Sequence, residues 1–160
     1  MTQAQLILTI AKGEVGVMEN GRNRGPRVEE YLDCVGLEPG NPWCAAFVSW
    51  VLSQAGEHRV RAGGALKLYA RSPVWSTTQT PTPGSIFVID HGGGLGHCGF
   101  VDEVCGDELI TIEGNTNPGG SREGDGVYIR TRRRAEINRG FIDLSLSPGS
   151  IADGDIPGVA

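Results

Sequence analysis

The 160-residue sequence has no run of the roughly 18 consecutive apolar residues that a membrane-spanning helix needs, so membrane insertion is not expected. Its opening stretch, Met1 to Ile10, lacks a basic cluster, and its apolar run is too short for a secretory leader. Synthesis in the cytoplasm follows, and any action outside depends on release or delivery. Cysteine is sparse: the four stand at 34, 44, 98 and 105, with no C-x-x-C spacing and no histidine pair at metal-ligand distance. A structural zinc site is therefore not expected, nor is any metal or cofactor, and without a leader the cysteines read as free thiols. Positive charge is also short. Fourteen Lys and Arg against nineteen Asp and Glu leave a net charge of −5, which excludes a general nucleic-acid binder because phosphate neutralisation needs basic residues. The one basic run, Arg130, Arg132, Arg133 and Arg134, reads as the solvated face of a strand and its turn. The competing reading is a local patch facing an anionic polymer or partner. No repeat or linker divides the chain.

Glycine is plentiful, at 25 residues crowded toward the second half, and that density suits tight turns between short strands. The first third reads helical. Thr2 and Gln5 resemble a capping box, Leu6, Ile7 and Ile10 share a helical face, and Gly13 is a stop. Pro26 to Val35 forms a second helix, with Val28, Tyr31, Leu32 and Val35 as its stripe. A third begins with Asn41 as cap and Pro42 in the first turn, and carries Cys44, Phe47, Val48, Val51, Leu52 and Ala55 at helical spacing. A short helix fits Ala65 to Ala70. From the Pro81-Thr82-Pro83-Gly84 turn onward the pattern is extended: Ser85–Asp90, His97–Val104, Glu108–Asn115, Val127–Arg132 and Phe141–Leu144. Helices first and consecutive strands later predict an α+β fold, with N-terminal helices packed on a small antiparallel sheet. Residues 1–145 are expected to form one catalytic domain, monomeric, with 146–160 an extended tail.

Three positions carry chemistry. Cys44 falls two or three residues into the third helix, where unpaired N–H groups and the helix dipole favour a thiolate and can hold an oxyanion. Read alone, it fits a small buried core residue better, since free cysteines are usually buried. His97 opens a strand after a glycine-rich turn, and a pKa near 6.5 suits a general base. His91, at the end of the preceding strand, is the rival base, and His58 reads as a surface residue. Glu113 and Asn115 share a strand face with Thr111, and in a hairpin with the His97 strand either one comes near the imidazole. Their alternative is a pair of polar groups on a solvated face. Cysteine at a helix start, histidine at a strand start and an acid or amide one strand later is the order a Cys-His-polar triad requires.

The segments Asn41-Pro42-Trp43-Cys44-Ala45-Ala46-Phe47-Val48, Gly96-His97-Cys98-Gly99-Phe100-Val101 and Ile112-Glu113-Gly114-Asn115-Thr116-Asn117 resemble the three motifs of the CHAP family. These are cysteine- and histidine-dependent amidohydrolases/peptidases related to the NlpC/P60 peptidases. The resemblance covers residues 4 to 143. It implies a papain-like fold with Cys44 as nucleophile, His97 as base, Glu113 as the residue that orients it and Asn115 as a fourth polar member. It also implies peptidoglycan as substrate, cut at the muramoyl–alanine amide or within the stem peptide. Some members bind calcium through an acidic loop before the nucleophile. The corresponding region here, Glu19 to Asn41, lacks alternating aspartates, so calcium is not expected. No wall-binding domain is recognisable, which points to a thin Gram-negative wall. The expected setting is a phage lysin, or an antibacterial secreted effector with an immunity protein as partner in its producer. Other readings are a catalytically silent binding module on the same fold, and a cysteine acyltransferase or protease acting on another substrate.

Overall fold

A computed structural model of the chain describes residues 1–118 and 124–148. Four helices come first: α1 (Gln3–Gly13), α2 (Pro26–Cys34), α3 (Cys44–Gln54) and α4 (Ala65–Arg71). Thr2 and Gln5 do form a capping box, with Gln5 N–H donating to Thr2 Oγ1 at 3.1 Å and Thr2 N–H to Gln5 Oε1 at 2.8 Å. The buried positions of α1 are Ile7, Leu8 and Ala11, while Leu6 and Ile10 flank them half-buried, so the apolar stripe is rotated from the predicted one. The helix α3 is central. Its residues from Cys44 to Ser49, together with Val51 and Leu52, are all buried, because α1, α2, α4 and two strands surround it.

The strands are β1 (Thr77–Thr78), β2 (Ile86–Gly92), β3 (Leu95–Cys105), β4 (Glu108–Thr116), β5 (Gly126–Arg133) and β6 (Gly140–Ile142). They form one antiparallel sheet in the order β1-β6-β2-β3-β4-β5. This is the α+β, papain-like arrangement of helices on an antiparallel sheet that the sequence predicts. Gly93 and Gly94, with φ of +65° and +80°, make the β2–β3 hairpin turn, a backbone that few side chains tolerate. One face of the sheet, through Ile86, Val88, Cys98, Phe100 and Ile112, packs on the helices. The opposite face carries a second apolar cluster of Phe87, Ile89, Val101, Leu109, Ile137 and Phe141. That cluster corrects the reading of this face as solvated, and Thr111 and Glu113 are fully buried within it. Gly114 lets β4 press onto α3, since a Cβ there would lie 2.8 Å from Phe47.

The loops carry further differences. Asn41 does not cap α3; its amide donates to the Glu38 carbonyl at 2.8 Å, and Trp43 occupies the cap position without a side-chain cap bond. Residues Gly16 to Glu19 run beside the start of β5, with Glu19 N–H on the Asp125 carbonyl and Val127 N–H on the Val17 carbonyl. No helix among the described residues is long and apolar enough to cross a membrane. Of the tail expected over 146–160, the part beyond Pro148 lies outside the described residues, as does the middle of the Asn117–Gly126 loop.

Candidate active site

The sequence pattern around Cys44 places a thiol at a helix entrance, and the structure puts it at the first residue of α3, not two or three residues inside. The N–H groups of this first turn have no intrahelical acceptor and are free to receive a developing negative charge. The helix start is anchored through Trp43. Its ring stacks on Tyr31 at 5.7 Å, its indole N–H donates to Glu19 Oε2 at 3.0 Å, and its backbone N–H reaches the Asn115 amide oxygen at 3.3 Å. The Asn115 NH₂ donates in turn to the Gly124 carbonyl at 3.2 Å, from a backbone with φ of +53°. Asn115 thus bonds to the residue before the cysteine, and it is Glu113 that bonds to the imidazole.

His97 lies on β3, with its side chain 13% exposed. Its Nε2 is 2.7 Å from Glu113 Oε1, and its ring lies beside the Cys44 sulfur, close enough for each to stabilise the other's charge. Since Nε2 is taken by the carboxylate, Nδ1 is the nitrogen that faces the thiol. Beside it, Gly99 leaves the space that the Glu113 side chain fills: a Cβ at 99 would sit 2.9 Å from Glu113 Cγ.

Glu113 is fully buried on β4, and both of its oxygens are occupied. Oε1 accepts from His97 and from Arg132 Nη2 at 2.8 Å; Oε2 accepts from Thr111 Oγ1 at 2.6 Å and Arg132 Nε at 2.6 Å. This bidentate arginine comes from β5 and lies over the Phe87 ring at 5.4 Å. Arg130, two residues earlier on the same face, has Nη1 3.0 Å from Thr116 Oγ1 and 3.7 Å from Glu113. The two arginines are only 17% and 12% exposed in their side chains, which corrects the reading of a solvated face for these two, while Arg133 and Arg134 are exposed as that reading expects.

The electrostatics follow from these contacts. Burial alone raises a carboxyl pKa, but the Arg132 and His97 bonds outweigh it and hold Glu113 well below the usual carboxylate range. Burial pushes His97 down, yet the Cys44 and Glu113 bonds raise it to about 9. Cys44 is lowered well below an ordinary thiol, first by the Cys98 thiol that bonds its sulfur and then by His97 and the Cys98 backbone N–H. The Cys98 thiol itself is raised by the same contact and by burial. The arrangement can hold a Cys44 thiolate beside a His97 imidazolium, with Cys98 and Glu113 as their respective supports.

Pattern reading missed Cys98 and Arg132. The one signal for Arg132 is the alternation along β5, where Tyr128, Arg130 and Arg132 are half-buried and Ile129, Thr131 and Arg133 exposed. His91 is exposed at the mouth of the cleft, and His58 lies on the surface as predicted. All four cysteines are free. A cavity of about 310 Å³ opens beside Cys44 and His97, walled by Pro42, His91, Asn115 and Arg130 among others.

A family model described as the CHAP domain matches residues 36–115, half of the chain. A crystal structure of Ly7917 with the hydrolyzing product of MDP superposes with a TM-score of 0.52 at 17% identity, covering 88% of this chain and 61% of that one. A second crystal structure of Ly7917 gives 0.50 at 19% identity, covering 88% and 60%. At these identities the likeness bears on the fold, and the chain spans about three fifths of the length of Ly7917. No curated protein matches the sequence.

Proposed function

The chain belongs to the CHAP domain family, and from that premise we propose that it is a cysteine hydrolase cutting an amide bond of bacterial peptidoglycan. Cys44 is the nucleophile, His97 the general base and acid, Glu113 the carboxylate that orients it, and Asn115 the amide that fixes the backbone before the nucleophile. The observation that carries this reading is the His97 ring held between the Cys44 sulfur and a buried, arginine-clamped carboxylate. The crystal structure of Ly7917 with the hydrolyzing product of the peptidoglycan fragment MDP supports the substrate class.

In the first half-reaction the Cys44 thiolate attacks the amide carbonyl, and N–H groups of the first turn of α3 stabilise the oxyanion. His97 gives its Nδ1 proton to the departing amine, leaving a thioester on Cys44. The neutral imidazole then takes a proton from water as that water attacks the thioester. Collapse expels the sulfur as thiolate, releases the acid and restores the ion pair. Glu113 stays ionised throughout, since Arg132 and Thr111 hold its charge.

The bond is the muramoyl–alanine amide or one within the stem peptide. The enzyme acts as a single domain over residues 1–145, reaching the wall after release as a phage lysin or delivery as an antibacterial effector. An effector requires an immunity protein in its producer, and gene neighbourhood separates the two settings. The test is digestion of isolated Gram-negative sacculi by wild type and Cys44→Ala, with mass analysis of the soluble products. Release by wild type alone, at masses that identify the bond, is the expected result. Equal release by both proteins overturns the assignment.

A further inference from the structure

We infer that the cleft beside Cys44 carries a carboxylate-binding subsite centred on Arg130, so that the preferred substrates are peptides bearing a free carboxylate close to the scissile amide. This rests on the reading of Cys44 as nucleophile. Among the described residues, the ionisable side chains lining the cleft apart from the nucleophile are His91, His97, Arg130 and Arg132, and none of these is acidic. Among the described residues, the two carboxylates that meet these arginines are used on other sides. Glu113 is fully buried behind the wall with both oxygens bonded, and Glu136 takes Arg132 Nη1 at 3.2 Å outside the cleft lining. Arg132 is therefore spent on carboxylates through all three of its nitrogens.

Arg130 differs. It commits Nη1 to the neutral Thr116 hydroxyl at 3.0 Å, and at 3.7 Å the Glu113 oxygen is beyond hydrogen-bond reach. Its guanidinium is held largely out of water with one nitrogen on a neutral hydroxyl and a longer ion pair to Glu113, so the rest of its planar fork is left to match a carboxylate. Thr116 fixes the direction of the fork, and the substrate supplies the anion.

The test uses two alkylating reagents of nearly equal size, iodoacetate and iodoacetamide, with site-resolved mass spectrometry of the Cys44 peptide. Exposed Cys105, outside the cleft, is the internal reference. The ratio of iodoacetate to iodoacetamide rates is expected to be higher at Cys44 than at Cys105, and to fall as salt is raised. In Arg130→Gln the Cys44 ratio falls by about tenfold, the scale of a lost charge-assisted hydrogen bond, and Arg130→Lys is intermediate. A change in thiolate content alone lowers both rates together and leaves the ratio unmoved. A wild-type Cys44 ratio no higher than that of Cys105, or a ratio unchanged in Arg130→Gln, overturns the subsite. The wild-type comparison and its salt series suffice if the variant does not fold. Peptidoglycan takes no part in this readout, so a failure of sacculus digestion and a failure of the subsite are separate results.

Discussion

Replacing Arg132 by alanine should destabilise the fold as well as the site. The guanidinium makes two bonds of 2.6 and 2.8 Å to a carboxylate that is fully buried, and it is itself only 12% exposed. Removing one partner of such a pair leaves an uncompensated charge in a low-dielectric site, at a cost of about 3–5 kcal/mol. Against a total stability on the order of 5–15 kcal/mol, that is a large fraction, and a urea titration followed by circular dichroism will resolve it. The deficit carries a pH signature. Glu113 has its folded pKa depressed below the unfolded value of about 4.3, so its contribution is full above that value and is lost as pH falls toward the folded pKa. Without Arg132 the carboxyl protonates more readily, and the gap between variant and wild type should narrow below about pH 4. The double variant Glu113→Gln with Arg132→Met, which removes both charges, should recover much of the stability while activity stays low. A cost at pH 7 under about 1 kcal/mol would place the pair with surface ion pairs and refute the reasoning. So would a deficit that is the same at pH 7 and pH 3.5.

Three further outcomes are expected. With Cys44 depressed and His97 raised to about 9, the thiolate–imidazolium pair forms as pH rises through the thiol pKa and is lost as pH rises through that of His97. The kcat/KM profile should therefore be bell-shaped with its falling limb near 9; a limb near 6.5 would show an imidazole without these partners. His97→Ala should be inactive and His91→Ala should keep most activity in the sacculus assay, because the Glu113 bond is made by His97; the reverse result moves the base to His91. Gly99→Ala should lose at least about tenfold in activity and about 1–3 kcal/mol in stability, because the new Cβ meets the Ile112 carbonyl and the Phe87 ring at 2.8 Å as well as Glu113. Full activity in that variant would mean that β3 and the carboxylate can separate at no cost.

The parts of the fold written in short-range pattern were legible. Pro26 opening α2, the Thr2–Gln5 box and the glycine turn before β3 each rest on chemistry within a few residues. So do the positions of Cys44 at a helix entrance and of His97 and Glu113 on neighbouring strands. Choices settled by distant partners were not legible. Asn41 has the chemistry of a cap, but the Glu38 carbonyl claims its amide. The two-residue β1 exists only because Ile142 and Phe141 lie opposite it. Arg132 belongs to a run that looks solvated, and its burial follows from the β4–β5 register that places Leu109 opposite it and Glu113 within its reach. Cys98 alternates correctly with His97, yet nothing in the chain says that the helix-facing sulfur meets the end of α3.

The fastening of Trp43 has a consequence for when the proposed activity is acquired. Residue 43 is held by Glu19 and Tyr31 from before it in the chain and by Asn115 from far beyond it, and the sulfur next to it needs β3 to lose its proton. A nascent chain has not yet reached Asn115 or β3, a threaded chain holds none of these contacts, and in both Cys44 is an ordinary thiol with a pKa near 8.5. The reactive thiolate and the fold are then acquired together, so any factor that keeps the polypeptide unfolded also keeps the proposed activity off.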